Sequence, residues 1–122
     1  MGIDMDKPGS TQLLMGNEAI ARGALEAGIG VAAAYPGTPS SEVIGTLAEV
    51  ARKYGLYVEW SINEKVALEV AAAASLSGVR AITAMKQNGL NVAFDFLANV
   101  ALTGTNKGLV LMVGDDPGGL SS

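Results

Sequence analysis

The chain has 122 residues, enough for one domain with a packed core, and its 49% hydrophobic content is dominated by Ala, Val and Leu, with 5% aromatics and 16 glycines. A net charge of -4 with scattered Lys and Arg excludes a basic stripe for nucleic acid, and no apolar run reaches the ~18 residues of a membrane span. With no cysteine and no histidine, the chain offers by itself no zinc finger, iron–sulfur ligand set, disulfide, or Cys or Ser–His nucleophile.

Residues 1–12 read as a flexible leader. The opening MGIDMDKPGS has acids where a secretion signal has bases, and Asp6 stands where a myristoylation motif needs Ser or Thr, so the expected location is cytoplasmic. After a short apolar entry at 13–15, a first helix is expected from Gly16 with Asn17 as its N-cap; Ala19, Ile20, Gly23, Ala24 and Ala27 form its apolar stripe and Gly28 ends it. Residues 30–35 are an apolar run of strand length, broken by Pro36 and Gly37. The TPSSE that follows predicts a helix opening with Thr38 as N-cap and Pro39 in the first helical position, and Val43, Ile44, Leu47, Ala48, Val50 and Ala51 repeat at helical spacing up to Gly55.

Residues 57–62 have strand composition, and 63–77 predict a helix so rich in Ala and Val that burial nearly all round is expected. Gly78 punctuates, 80–85 is another apolar strand, and Lys86, Gln87, Asn88 and Gly89 read as a turn into a helix over about 90–102. A polar turn at 104–108 precedes a buried strand at 109–113, and GDDPGGLSS is an irregular loop. Because it stops straight after that loop, the chain is expected to be a fragment of a longer polypeptide. The Gly28-Ile29-Gly30 run is not a dinucleotide fingerprint, since it precedes a strand and lacks the third glycine.

Apolar strands alternating with helices predict an α/β fold, a doubly wound, mainly parallel sheet with helices on both faces. Ligands in such folds lie beyond the carboxyl ends of the strands. Those ends are residues 35–41, 62–64, 86–89 and 114–119, which between them hold nearly every polar residue of interest.

Each of these residues has two readings. Glu64, at the start of an apolar helix, is a shielded carboxyl whose proton affinity is expected to rise, so that it shares a proton with a bound base. Ser61 and Glu64 also have the S-x-x-E spacing of a capping box, which needs no ligand. Thr38, Ser40 and Ser41 suit an anion at a helix N-terminus, or simply cap the helix. Gln87, Asn88 and Asn91 suit a heterocyclic or amide-like ligand, or again are caps. Asp115, Asp116 and Pro117 read as a turn, because a Mg²⁺ site would want more oxygen ligands; no metal site is expected in this chain.

Taken together, GNEAIARGALEAG (16–28), YPGTPSSEV (35–43), VEWSINEKVALEVAAAASLSGVRA (58–81), MKQNGLNVAFDFLANVALTG (85–104) and GLVLMVGDDPGGLSS (108–122) resemble the N-terminal part of the large subunits of indolepyruvate ferredoxin oxidoreductases. These belong to the thiamine-diphosphate-dependent 2-oxoacid:ferredoxin oxidoreductases. The resemblance implies that residues 13–122 form a pyrimidine-binding domain, with Glu64, inside NEKVALE, bonded to N1′ of the cofactor's aminopyrimidine. Sharing that proton favours the 4′-imino tautomer, whose nitrogen deprotonates the thiazolium. An arylpyruvate is then decarboxylated, its electrons pass through 4Fe–4S clusters to ferredoxin, and coenzyme A takes the acyl group.

By the same resemblance Gln87, Asn88 and Gly89 border the aminopyrimidine, and Thr38 with Pro36 and Gly37 lies against the substrate. It further implies a second, small subunit, homodimerisation of this domain type, and a separate domain for the diphosphate and Mg²⁺. One departure stands out: relatives carry an arginine for the substrate carboxylate after the fourth strand, where this chain has GDDPGG. The contrasting hypothesis is a non-catalytic flavodoxin-like module that binds a small anion or docks a subunit.

Overall fold

The computed structural model describes residues 2–119. Eight elements follow in order: α1 (Gly16–Glu26), β1 (Val31–Ala34), α2 (Ser41–Tyr54), β2 (Tyr57–Trp60), α3 (Glu64–Leu76), β3 (Ala81–Lys86), α4 (Gln87–Thr103) and β4 (Leu109–Gly114). All four strands run parallel in the order β2-β1-β3-β4, so the expected α/β architecture is present. Since β2 lies to one side of β1 and β3 to the other, the winding direction reverses between β1 and β3. At such a reversal the carboxyl ends of the strands are where folds of this kind place their ligand crevice.

Side-chain alternation along the strands feeds two cores. Ala32 and Ala34 of β1 with Ile82 and Ala84 of β3 meet Ala21, Ala24, Val43, Ile44 and Leu47 from α1 and α2. On the other face Met85 meets Leu68 of α3 and Ala93 of α4, with Leu109 and Leu111 of β4 packed alongside. The alanines let the helices lie close to the sheet, which explains a chain rich in small side chains and poor in aromatics.

Glycine ends the helices where expected. Gly55 closes α2 in the left-handed region at φ 66, its amide bonded to Ala51 O, and Gly28 follows α1 at φ 73. The segment before α1 has no helix or strand, yet Ile3 is buried in the first core and Arg22 donates to the carbonyls of Ile3 and Met5, both at 2.7 Å.

Two expectations about the helices are corrected. Helix α3 is buried on one side only, through Glu64, Ala67, Leu68, Ala71, Ala72 and Ser75, whereas Glu69, Ala73 and Leu76 are exposed. Helix α4 begins at Gln87, not near 90, so 86–89 is not a turn: β3 passes straight into the helix, with Lys86 as its extended N-cap. Among the described residues no helix is long and apolar enough to cross a membrane.

Candidate functional site

The start of α3 decides between the two readings of Glu64. Ser61 is still tied to the sheet, its amide donating to Ala34 O at 2.7 Å, and its hydroxyl donates to Glu59 Oε1 at 3.3 Å. Ser61 is therefore not the cap. Asn63 is, extended at φ -163 and ψ 174, with its Oδ1 accepting from the Val66 amide at 2.9 Å. The Ser61–Glu64 capping box is not formed, and the spacing that suggested it is incidental.

Glu64 is thereby free of capping duty and still buried, only 9% exposed. Its carboxylate has no hydrogen-bond or ion-pair partner among the described residues. The side chain runs beneath the first turn of α4, so close to Gly89 that a Cβ there would lie 2.6 Å from its Cγ, 2.8 Å from Oε1 and 3.0 Å from Cδ. Only glycine leaves room for the acid in this position, and the contact brings the carboxyl ends of β2 and β3 together.

Gln87, the first residue of α4, sends its Nε2 to Asp116 Oδ1 at 2.9 Å. That bond orients the amide and leaves Oε1 buried with no partner among the described residues. A buried carbonyl oxygen left unpaired is costly, and its usual explanation is a donor supplied from outside. Asp116 is held in turn by the Gly119 amide, bonded to its carbonyl at 2.9 Å, with Gly118 at φ 80. Asn88 and Asn91 are exposed on α4.

The loop after β1 lies across the ends of β3 and β4. A Cβ on Gly37 would meet Lys86 Cγ at 3.2 Å, and one on Gly114 would meet Pro39 Cγ at 3.1 Å. Within the loop the Gly37 amide donates to Ser41 Oγ at 2.8 Å and Ser40 Oγ donates to Gly37 O at 2.9 Å. The Thr38–Pro39 peptide is cis and α2 begins at Ser41 after Ser40, so Thr38 does not cap the helix and Pro39 is not its first residue. Thr38 and Pro36 are exposed, and Gly37 is half-buried.

Asn17 does not cap α1 either; Met15 holds that place, its amide bonded to Glu18 Oε2 at 2.8 Å. Instead Asn17 Nδ2 donates to Pro39 O at 2.7 Å and Glu42 Oε2 at 2.8 Å, fastening the β1 loop from outside. Sequence reasoning missed this clamp and the Gln87–Asp116 bond, because each joins residues 22 or more positions apart.

The strand ends thus gather one shielded carboxyl, an unpaired amide oxygen, a glycine gap and a loop of exposed small residues. Such a set can hold a planar heterocycle and share a proton with it. Among the described residues no group of His, Cys, Asp and Glu could hold a metal ion. A concavity of about 440 Å³ lies instead between the leader and α1, around Lys7, Gly9 and Arg22. It is formed by the leader's own loop, so the strand-end crevice is the better candidate on chemical grounds.

The chain is similar to known proteins in sequence and in fold. Residues 22–114 match the model of the family described as "Pyruvate flavodoxin/ferredoxin oxidoreductase, thiamine diP-bdg". The chain is 60% identical over 117 residues to the indolepyruvate oxidoreductase subunit IorA of Pyrococcus horikoshii, and 63% over 118 residues to that of Thermococcus kodakarensis, each alignment covering 96% of this chain. It is 35% identical over 92 residues to the 2-oxoglutarate synthase subunit KorA of Archaeoglobus fulgidus, covering 75% of this chain and 27% of that one. The chain spans only 18% of the length of the two IorA relatives.

A solved structure, the 2-oxoglutarate:ferredoxin oxidoreductase of Magnetococcus marinus with 2-oxoglutarate, coenzyme A and succinyl-CoA bound, superposes with a TM-score of 0.81. It covers 89% of this chain and 19% of that one at 24% identity, a likeness of fold. On the family match across most of its length, the chain belongs to the thiamine-diphosphate-binding family of pyruvate flavodoxin/ferredoxin oxidoreductases.

Proposed function

We propose that residues 13–122 are the pyrimidine-binding part of a cytoplasmic enzyme that oxidatively decarboxylates arylpyruvates to aryl-acetyl-CoA, with ferredoxin as electron acceptor. The two IorA relatives, named as indolepyruvate oxidoreductase subunits, favour this substrate class over others. The observation that carries the reading is Glu64: buried, without a partner among the described residues and relieved of capping by Asn63.

These residues fit thiamine diphosphate. When bound, the cofactor supplies the thiazolium electron sink that decarboxylation of a 2-oxo acid needs. Glu64 holds a proton against N1′ of the aminopyrimidine and so sets the tautomer of that ring. Gly89 keeps the carboxyl in place by offering no side chain. Gln87 Oε1, fixed by Asp116, would accept a hydrogen bond from the bound aminopyrimidine, with Asn88 beside it on α4. Pro36, Gly37 and Thr38 face the substrate from the β1 loop.

The diphosphate and Mg²⁺, the 4Fe–4S clusters, the second subunit and the contacts with ferredoxin and coenzyme A belong to other parts of the assembly. Pairing of this domain with a second copy is part of the same proposal. The direct test is Glu64→Gln in the full-length chain with its partner subunit. Reduction of ferredoxin by arylpyruvate is expected to fall by about 10²-fold or more, as for loss of a general acid–base group, with the fold intact. Retained turnover refutes the role of Glu64, and absence of heat on titrating thiamine diphosphate and Mg²⁺ into the assembly refutes the cofactor assignment.

A further inference from the structure

A 2-oxo acid is an anion, and a cation beside the reacting carbon would hold its carboxylate. The chain has eight Lys and Arg residues, and their places leave one candidate. Lys7 is in the leader, and Arg22 is bound to the leader's carbonyls and to Glu26. Arg52 and Lys53 lie in the last turn of α2, at the far end of the sheet, with Lys53 paired to Asp4. Arg80 and Lys107 stand where β3 and β4 begin, and Arg80 donates to Ala27 O at 2.9 Å. Lys65 is near the crevice but is paired with Asp95 at 2.9 Å. Lys86 terminates β3 within the crevice and has no ion-pair partner among the described residues.

Two further observations single it out. Lys86 is the N-cap of α4 and makes no capping bond. A lysine there places a cation on the positive end of a 17-residue helix whose first turn has no acid of its own, a choice that costs stability. The carboxylate that does approach this end, Glu64, touches Gly89 from beneath, and Asp116 is bonded to Gln87. The Lys86 stem also lies against Gly37, so the loop that faces the substrate in the proposed function rests on this side chain. An anion bound beside the Lys86 ammonium would relieve that mismatch between the cation and the helix end.

We infer that Lys86 is the residue of this chain that binds the carboxylate of the 2-oxo acid, in place of the arginine missing from the 114–119 loop. This rests on the proposed function and adds to it the group that recognises the substrate's acid. Lys86 is a binding residue, and its loss acts on substrate affinity and leaves the cofactor in place.

The test uses Lys86→Gln and Lys86→Arg in the full-length chain with its partner subunit. For Lys86→Gln, kcat/KM for arylpyruvate is expected to fall by about 10- to 100-fold, the loss of one charge-assisted hydrogen bond, mostly through KM, while the Kd for thiamine diphosphate stays within about twofold. Lys86→Arg is expected to recover part of the loss. Inhibition by an arylacetate and by its neutral arylacetamide gives the readout that a packing defect would not move: the wild type prefers the carboxylate, and Lys86→Gln loses that preference. An unchanged preference, or a kcat/KM within twofold of wild type, overturns the inference alone. If the wild-type assembly takes up no thiamine diphosphate, the proposed function fails and the inference with it.

Discussion

Gly89→Ala tests the site without touching a polar atom. The added Cβ would stand 2.6 Å from Glu64 Cγ and 2.8 Å from Oε1, where carbon atoms ordinarily settle at about 3.5–4.0 Å. Glu64 or the first turn of α4 must therefore retreat by about 1 Å. A misplacement of that size costs on the order of 10²-fold in rate when it falls on a group that must meet its partner in a fixed geometry. The stability balance is milder. Overpacking costs about 1–3 kcal/mol, and replacing a helical glycine by alanine returns up to about 1 kcal/mol.

The Gly89→Ala variant is thus expected to be folded, slightly less stable, and about 10²-fold slower in arylpyruvate-dependent dye reduction by the full-length chain with its partner subunit. Gly45→Ala, in α2, is the control: nothing lies within 4 Å of its Cβ, so it should leave turnover unchanged and match or exceed wild-type stability. Wild-type turnover in Gly89→Ala would show that the position of the Glu64 carboxyl is immaterial, and the reasoning that places it at the reaction would fall.

The cap of α3 separates Asn63 from Ser61: Asn63→Ala should cost about 1 kcal/mol and raise hydrogen exchange at the Val66 amide roughly fivefold, and Ser61→Ala should leave the Glu64 amide unchanged; faster exchange at the Glu64 amide in Ser61→Ala would restore the capping box. The leader is fastened partly by Lys53, whose hydrogen bond holds the Asp4 carboxyl below its ordinary range while Asp4 raises Lys53. Because the folded Asp4 value is depressed, this contribution is present above the ordinary carboxylate range and lost as pH falls through the folded value; the raised Lys53 loses it only at strongly alkaline pH. Both groups are exposed, so salt should weaken the pair, and Asp4→Asn should make the leader more open to proteolysis at neutral pH; a leader equally resistant in Asp4→Asn refutes the role of the pair.

Much of this architecture was legible in the residues, and the parts that were not have local causes. All four strands and all four helices were foreseen, because apolar runs of strand length and helical repeats punctuated by Gly28, Gly55 and Gly78 leave little choice. Glu64 was found from its place between an apolar strand and an apolar helix. The start of α4 was missed because Lys86, Gln87, Asn88 and Gly89 have turn chemistry, yet the glycine is there to make room for Glu64 and Gln87 is bonded to Asp116. The helix cap at Thr38 was misassigned because α2 starts later, at Ser41, and those at Asn17 and Ser61 because a capping side chain is recognised by spacing, and spacing does not reveal a competing partner. Asn17 is taken by Pro39 and Glu42, and the Ser61 amide by Ala34.

These failures of local rules are not scattered. A lysine where a helix prefers an acid, a glycine inside a first helical turn, a buried acid without a partner and an amide oxygen without a donor all lie at the carboxyl ends of β2 and β3. At the opposite end of the sheet, by contrast, Ser75 and Lys107 exchange reciprocal bonds. A sequence selected for stability alone would place Asp or Ser at 86, Ala at 89 and an apolar residue at 64. That it does the opposite at three neighbouring positions is the pattern expected where stability is given up for binding and proton transfer. Lys86→Ser and Gly89→Ala combined with Glu64→Ala, which removes the Cγ that the new Cβ would strike, should raise the unfolding temperature of the chain while abolishing turnover, and a triple variant that loses stability would show that these residues serve the fold after all.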